Sequence, residues 1–269
     1  MTTRYTLWQR VRSLRHAAAV TLSERVGRVR RSAPEVAAGV LPPLAAAAGA
    51  RIDELVRRYG VRFEQSQEAP GALQAYEYLD LLDQALGAWG RAAPYAGVVH
   101  DVGSASFSYV AALAALLRPT HLVGVELEGY RRLRGGYNRA ERALANVARV
   151  PGASFVVGDY AKFEQRADLI TAFFPFVTPA PVLGWRMPLS VLRPAALFER
   201  IAGNLHGEGS LWMVNHSEEE AAIAAGYAMR AGLCQTGRHV AHNLLQPRPA
   251  PPVVSAWRPA TTASAPGSQ

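Results

Sequence analysis

The chain has 269 residues, of which 49% are hydrophobic and 19% are charged, so it can bury a sizeable core and wholesale disorder is excluded. Its net charge is +8, but residues 1–31 contain eight arginines against one acid, so the rest of the chain carries only about +1. A body this close to neutral offers no general electrostatic reason to bind a polyanion, which confines any nucleic-acid contact to the Arg-rich N-terminus.

Cysteine content and hydropathy indicate the cellular compartment in which the protein is expected. The single cysteine, Cys234, excludes an internal disulfide framework and a Cys-based metal cluster, and it suits a reducing cytosol. No His, Asp or Glu spacing indicates a metal site. The most apolar segment, residues 37–50, is short and interrupted by Pro42 and Pro43, so no transmembrane segment is expected. The sequence predicts a soluble, cytoplasmic protein.

The first 31 residues contain apolar positions three or four apart, which places them on one face of a helix. These positions are Leu7, Val11, Leu14, Ala18, Leu22, Val26 and Val29. Three interpretations follow: a helix packed on its own domain, a helix that binds a partner or an anionic surface, or an organelle-targeting peptide. The number of regularly spaced positions favours packing on the domain, for example as a lid over a ligand crevice.

Residues 1–94 are predicted to form an all-helical N-terminal extension. An Ala-rich hinge interrupted by prolines precedes helical stretches at about 52–59 and 72–89. Residues 95–258 are predicted to form the main domain, and residues 259–269, rich in Thr, Ala, Ser, Pro and Gly, a disordered tail.

Within the main domain, short apolar runs alternate with helical patterns. The strands are expected at 98–101, 121–126, 154–157, 168–174 and 211–214, with two more at about 239–245 and 253–257. The helices are expected at 105–117, 129–147, 194–205 and 218–231. This alternation predicts an α/β fold: a Rossmann-like, doubly wound, mostly parallel sheet with helices on both faces.

Two of these helices carry clear start signals. Ser217 followed by Glu220 forms a capping-box pattern, in which the serine hydroxyl and the glutamate carboxylate satisfy free backbone N–H groups. Pro194 suits a first helical turn, where its missing N–H costs nothing. Helix capping therefore explains Glu218, Glu219 and Glu220 better than catalysis does.

Polar residues follow three successive predicted strands. The first strand runs into Asp101-Val102-Gly103-Ser104-Ala105, a turn of small residues in which the backbone can approach a ligand closely. The second ends at Glu126, which can accept both hydroxyls of a ribose, and the third at Asp159 and Tyr160. Because the carboxyl ends of parallel strands share one edge, the sequence predicts a ligand crevice there.

In order and spacing, Asp101, Gly103, Glu126 and Asp159 resemble the first motifs of class I S-adenosylmethionine-dependent methyltransferases. The segments 124–131 and 213–216 are also similar to a group of bacterial methyltransferase-like proteins, which implies no particular substrate. The resemblance implies that S-adenosyl-L-methionine is the cofactor. Its methionine part would face the backbone of Gly103, Ser104 and Ala105. Glu126 would bind the ribose, and Asp159 the adenine amine, with Tyr160 or Val102 nearby.

The glycine-rich turn of that family, Asp-x-Gly-x-Gly-x-Gly, is altered here. Ala105 stands at the second glycine position and Phe107 at the third. Alanine suits a helix start but is not expected to adopt a positive φ. An altered binding mode and a degenerate, non-catalytic domain are the two interpretations of this departure. A dinucleotide oxidoreductase would need the glycines intact and is less favoured.

Few residues of the sequence are candidates for binding or activating the methyl acceptor that the resemblance implies. Phenylalanines in 173–179 replace the Asp or Asn of amino-directed enzymes, which disfavours methylation of an adenine or a glutamine amide; a rigid hydrophobic loop is the alternative. His216 follows the fifth strand and is the candidate general base, or else a structural histidine.

The leading functional hypothesis is a methyltransferase acting on a small molecule. Its rival is a non-catalytic binding or scaffold protein, and an RNA-associated methyltransferase is a third hypothesis, supported only by the N-terminal arginines.

Overall fold

The computed structural model of the chain describes residues 5–27, 38–133 and 135–260. Of the sequence features above, the stripe position Val29, residues 28–31 with their arginines and residues 261–269 of the predicted tail lie outside these described residues. The predicted tail begins at residue 259, whereas Pro259 still belongs to the last strand.

In the described part of the chain, seven strands form one sheet with the order β3-β2-β1-β4-β5-β7-β6. The strands are β1 (Val98–Val102), β2 (His121–Glu126), β3 (Ala153–Val157), β4 (Ala167–Phe173), β5 (Leu205–Asn215), β6 (Leu233–Val240) and β7 (Val253–Pro259). Strands β1 to β5 pair in parallel, and β7 pairs antiparallel with both β5 and β6. The predicted Rossmann-like, mostly parallel sheet is confirmed.

Eight α-helices accompany the sheet within the described ranges. They are α1 (Leu7–Gly27), α2 (Ala46–Tyr59), α3 (Ala69–Ala88), α4 (Val110–Leu117), α5 (Arg139–Val147), α6 (Pro179–Gly184), α7 (Pro194–Asn204) and α8 (Glu218–Arg230). Helices α4 and α5 begin later than predicted because turns occupy the preceding residues. Asn138 starts α5 with a complete capping box that includes Glu141.

The sixth strand lies about six residues before its predicted position. Its sequence is polar, and most of its side chains are exposed because β6 is the edge strand of the sheet. A buried strand is predicted from a run of apolar residues, and because β6 has no such run, the sequence pattern places the strand too late, at about 239–245.

The two faces of the sheet pack against different helices. On one face, Val99, Leu169 and Trp212 share a buried cluster with residues of α2, α3 and α4. On the other, Ile170 and Met213 pack with residues of α7 and α8. The helical residues 46–88 therefore contribute to the same core as the sheet.

Helix α2 is attached to α3 by a buried charged cluster. Arg51 Nε donates to Asp80 Oδ1 at 2.6 Å and Arg51 Nη2 to Asp83 Oδ2 at 2.6 Å, and Tyr59 donates its hydroxyl to Asp83. The side chains of Asp80 and Asp83 are only 2% and 3% exposed. Such carboxylates are tolerated because their charge is paired and hydrogen-bonded.

Helix α1 packs on the domain with the face opposite to its apolar stripe. Arg12 Nη2 donates to the carbonyl oxygen of Leu183 at 3.0 Å, and the hydroxyl of Ser13 accepts from the backbone N–H of Leu189 at 2.9 Å. The apolar positions face away: Leu7, Leu14 and Leu22 are 79%, 72% and 65% exposed. The prediction that the stripe itself packs on the domain or closes the crevice is therefore wrong. The physical reason is that α6 and the turn after it present backbone polar groups, which hydrogen-bond with the polar face of α1.

Across the described residues, none of the helices combines the length and apolarity that crossing a membrane requires.

We predict that Arg51→Met lowers the free energy of unfolding by roughly 3 kcal/mol or more, because it removes the ion-pair partner of buried Asp80 and leaves buried Asp83 with Arg58 alone. Urea denaturation followed by circular dichroism measures the change. The matched control is Arg57→Met, an exposed position on the same helix, which should change stability by less than about 0.5 kcal/mol. Equal effects of the two substitutions would show that the cluster does not hold α2 in place.

Candidate functional site

A cavity of about 420 Å³ opens at the carboxyl ends of the parallel strands. It has the size of a small-molecule site and lies where doubly wound sheets bind their ligands. Six of the residues singled out from the sequence line it together: Gly103, Ala105, Glu126, Asp159, Tyr160 and His216. Two others, Asp101 and Ser104, lie beneath its surface and are fully buried.

The turn after β1 adopts the conformation that a glycine-rich turn would have. Gly103, Ala105 and Phe107 have φ angles of 72°, 50° and 49°. The expectation that Ala105 avoids a positive φ is therefore wrong. The strain is compensated locally: the Ala105 N–H donates to Glu126, and the Phe107 ring is completely buried against Gly124, where a Cβ would lie only 2.6 Å from the ring.

Glu126 connects this turn with the loop after β2. Its Oε2 accepts from the Ala105 N–H at 2.8 Å, and its Oε1 accepts from the Glu128 N–H at 2.8 Å. Arg139, at the start of α5, donates to the same Oε1 at 3.2 Å and to Glu128 at 3.3 Å. The guanidinium of Arg139 also lies 4.8 Å from the ring centre of Trp185. The carboxylate is thus fixed in the cavity wall by groups from three segments.

After β3, Asp159 and Tyr160 form another part of the wall. Asp159 Oδ1 accepts from the Ala161 N–H at 3.0 Å, and its other oxygen forms an ion pair with Arg193. The Tyr160 hydroxyl hydrogen-bonds His100 Nδ1 at 3.1 Å, away from solvent. The ring of Tyr160 is therefore the part that remains for a ligand.

Asp101 and Ser104 support the turn from below. Asp101 accepts hydrogen bonds from the hydroxyls of Tyr109 and Thr171, both at 2.6 Å. Burial, which outweighs these two bonds, raises the pKa of Asp101 to about 7. The hydroxyl of Ser104 has no hydrogen-bond partner among the described residues.

Aromatic rings form the side of the cavity that faces β4 and β5. Tyr78 from α3 stacks on Phe173, with 4.2 Å between ring centres and 15° between planes. Phe174 stacks on His216 at 4.1 Å and 14°, and the Arg248 guanidinium lies 4.3 Å from the Phe174 centroid. The phenylalanines of 173–179 therefore line the candidate site instead of only packing in a loop.

The contacts of His216 determine which of its ring nitrogens carries the proton. Arg248 approaches its Nδ1 at 3.2 Å, and since a guanidinium can only donate, Nδ1 accepts and the ring proton of neutral His216 lies on Nε2. Burial and then the positive charge of Arg248 lower the pKa of His216, so the ring is neutral at pH 7. Arg248 is itself fixed by buried Glu77 at 2.7 Å. This geometry favours His216 as a hydrogen-bond donor over the general base expected from the sequence.

Helix α8 begins as the capping pattern indicated, with one difference. The Ser217 hydroxyl accepts from the Glu220 N–H at 3.3 Å, but the Glu220 carboxylate accepts from the N–H of His216 and not from that of Ser217. Capping of α8 thereby also fixes the backbone of His216.

Several residues in the cavity wall carried no local sequence signal. Tyr78, Arg139, Arg193 and Arg248 come from α3, α5, the segment before α7 and the β6–β7 loop. Each is an ordinary residue in its own segment, and only the folded chain brings them to one cavity.

No protein-family model and no curated protein matches the sequence. Solved structures match in fold. The N-methyltransferase NodS from Bradyrhizobium japonicum, in complex with S-adenosyl-L-homocysteine, has a TM-score of 0.50 at 13% identity, over 78% of this chain and 98% of that chain. An S-adenosylmethionine-dependent methyltransferase from Clostridium acetobutylicum has a TM-score of 0.48 at 8% identity, over 79% and 98%. The likeness to NodS shows that this chain has the Rossmann-like fold of class I methyltransferases.

We predict that Ala105→Gly raises the free energy of unfolding by roughly 0.5–1 kcal/mol, because glycine adopts φ of about 50° without strain. Phe107→Gly relieves the same strain but removes a completely buried ring, and should cost roughly 3 kcal/mol or more. Urea denaturation measures both. A loss of stability in Ala105→Gly would contradict the strained conformation.

Asp101→Asn should flatten the pH dependence of stability. The native carboxyl keeps its proton up to about pH 7, whereas its ordinary pKa is 3.8. The native state therefore binds more protons between these values, and the free energy of unfolding falls as the pH rises through this window. Denaturation of both proteins from about pH 4 to about pH 8 measures the difference, expected on the order of a few kcal/mol. Exposed Asp53→Asn is the control, and parallel curves for the intact chain and Asp101→Asn would refute the buried-acid assignment.

Proposed function

We propose that the chain binds S-adenosyl-L-methionine in this cavity and catalyses methyl transfer to a small-molecule acceptor. The observation that carries the proposal is the turn after β1, which has positive φ at 103, 105 and 107 although only the first is glycine. A strained backbone is retained where the surrounding structure requires it, and such conformations cluster at ligand sites. This supports an intact site over a degenerate one.

The residues around the cavity fit the parts of this cofactor. A ribose offers two hydroxyl donors, and Glu126 offers a fixed carboxylate in the wall. Three of its roughly four acceptor positions are already used, so to bind both ribose hydroxyls Glu126 would use the free position and exchange the 3.2 Å bond from Arg139 for the second hydroxyl. Arg139 would keep its bond to Glu128 and its contact with Trp185. Asp159 and the Tyr160 ring are suited to an adenine amine and its flat face.

When bound, the cofactor supplies an electrophilic methyl group on a positively charged sulfur. The rings of Tyr78, Phe173 and Phe174 exclude water from the neighbouring space, and their faces attract a cation. His216, with its proton on Nε2, can donate a hydrogen bond that orients an acceptor atom. Because methyl transfer depends mainly on alignment, this positioning role does not require a strong base.

A small acceptor fits this chain better than RNA does. Helix α3 and the segment that carries Trp185, Met187 and Arg193 wall the cavity, which leaves space for a compact ligand. Outside residues 1–31 the chain is almost neutral, so its net charge there gives no general attraction for a polyanion such as RNA.

The non-catalytic binding protein has one observation in its favour. Glu126 and Asp159 are both paired with arginines, Arg139 and Arg193, and in a degenerate site those pairs would be permanent. An intact cofactor site requires that binding releases Glu126 from Arg139.

Calorimetric titration with S-adenosyl-L-homocysteine tests the proposal. The intact chain should bind it, and Glu126→Gln should weaken binding roughly tenfold or more, because the amide cannot accept from both ribose hydroxyls. Glu208→Gln, at a position 98% exposed and away from the cavity, is the matched control and should bind like the intact chain. Thermal denaturation checks that each variant is folded.

Undetectable binding by the intact chain at about millimolar ligand would refute the proposal. Binding without transfer of label from methyl-labelled cofactor to any small molecule of a cell extract would favour the non-catalytic protein.

A further inference from the structure

The outward face of α1 exposes a strip of apolar side chains that no other part of the described chain covers. Besides Leu7, Leu14 and Leu22, it exposes Trp8 and Val11, which are 66% and 48% accessible. Leu7, Val11, Leu14 and Leu22 are spaced by three, four or eight residues and so follow one side of the helix. A contiguous apolar strip of this kind on a soluble domain marks an interaction surface.

The domain itself does not cover this face, because α1 is attached by its other side. The bonds from Arg12 to Leu183 and from Leu189 to Ser13 hold the helix against α6 and the turn that follows. The same orientation directs the leucines away from the cavity. The strip therefore does not form part of the proposed cofactor site.

Positive charge lies on both sides of the strip, at Arg10 and Arg15, and at its end, at Arg25. Arg10, Arg15 and Arg25 are exposed on α1, and Glu24 is the only acid in residues 1–31. A second copy of the chain would bring these arginines against their equivalents, which is unfavourable at close range. An anionic lipid surface accommodates both features, since its headgroups attract the arginines while its acyl region accepts the leucines and Trp8.

We propose that α1 binds the surface of anionic membranes, lying in the plane of the interface with its leucine strip inserted. Its 21 residues extend about 31 Å, enough to place all the strip residues at the same depth. The arginines and the tryptophan then lie at headgroup level, where both residue types are favoured.

Cosedimentation of the full chain with vesicles tests this. One set contains phosphatidylcholine alone, and the other also contains about one third phosphatidylglycerol. The chain should bind the anionic vesicles and not the neutral ones. Leu14→Glu combined with Leu22→Glu should weaken binding roughly tenfold or more, because two inserted side chains become charged. These positions are exposed, so the fold should be unaffected.

The matched control is Met229→Glu, at a position 61% exposed on α8, which should bind like the intact chain. Absence of binding to anionic vesicles by the intact chain overturns the proposal. Equal binding of the intact chain and the double leucine variant to anionic vesicles also overturns the proposal, because it would show that charge alone causes the adsorption. A dimer in light scattering that dissociates in the double variant, without vesicle binding by the intact chain, would assign the strip to a second copy instead.

Discussion

The candidate site depends on one buried carboxylate, that of Glu126. It lies at the end of β2, beside the turn after β1, and it accepts the N–H groups of Ala105 and Glu128. Because burying a charge is costly unless it is paired, Arg139 must accompany it, and this brings the start of α5 to the cavity. The positive φ at Ala105 is maintained by the same bond, so one acid fixes the shape of two loops and presents an acceptor to a ligand.

The other side of the cavity is fixed in a similar way, by a chain of contacts that starts at buried Glu77. Glu77 holds Arg248, Arg248 donates to His216, and His216 stacks on Phe174. The outcome is a neutral ring with its proton on Nε2, next to aromatic side chains. A site of this composition is suited to orienting a compact acceptor beside a cationic methyl donor, and it provides no strong base.

Much of the fold could be predicted from the sequence because apolar runs such as residues 211–214 of β5 are buried from both faces of the sheet, which makes them easy to recognise. The strand ends at Gly103, Glu126 and Asp159 followed from the same pattern. Other features depend on contacts between distant segments. The edge strand β6 has no apolar run, Arg139 and Arg248 have no motif, and the direction of the α1 strip is decided by Leu183 and Leu189, about 170 residues away.

We propose that Glu126 holds the ribose of S-adenosyl-L-methionine in this cavity. A crystal structure of the chain with S-adenosyl-L-homocysteine tests it most directly. We expect the ribose hydroxyls within hydrogen-bonding distance of Glu126, the adenine beside Asp159 and Tyr160, and the bond between Arg139 and Glu126 replaced. A ligand bound elsewhere, or a Glu126 that keeps Arg139 and makes no contact with the ribose, would contradict it.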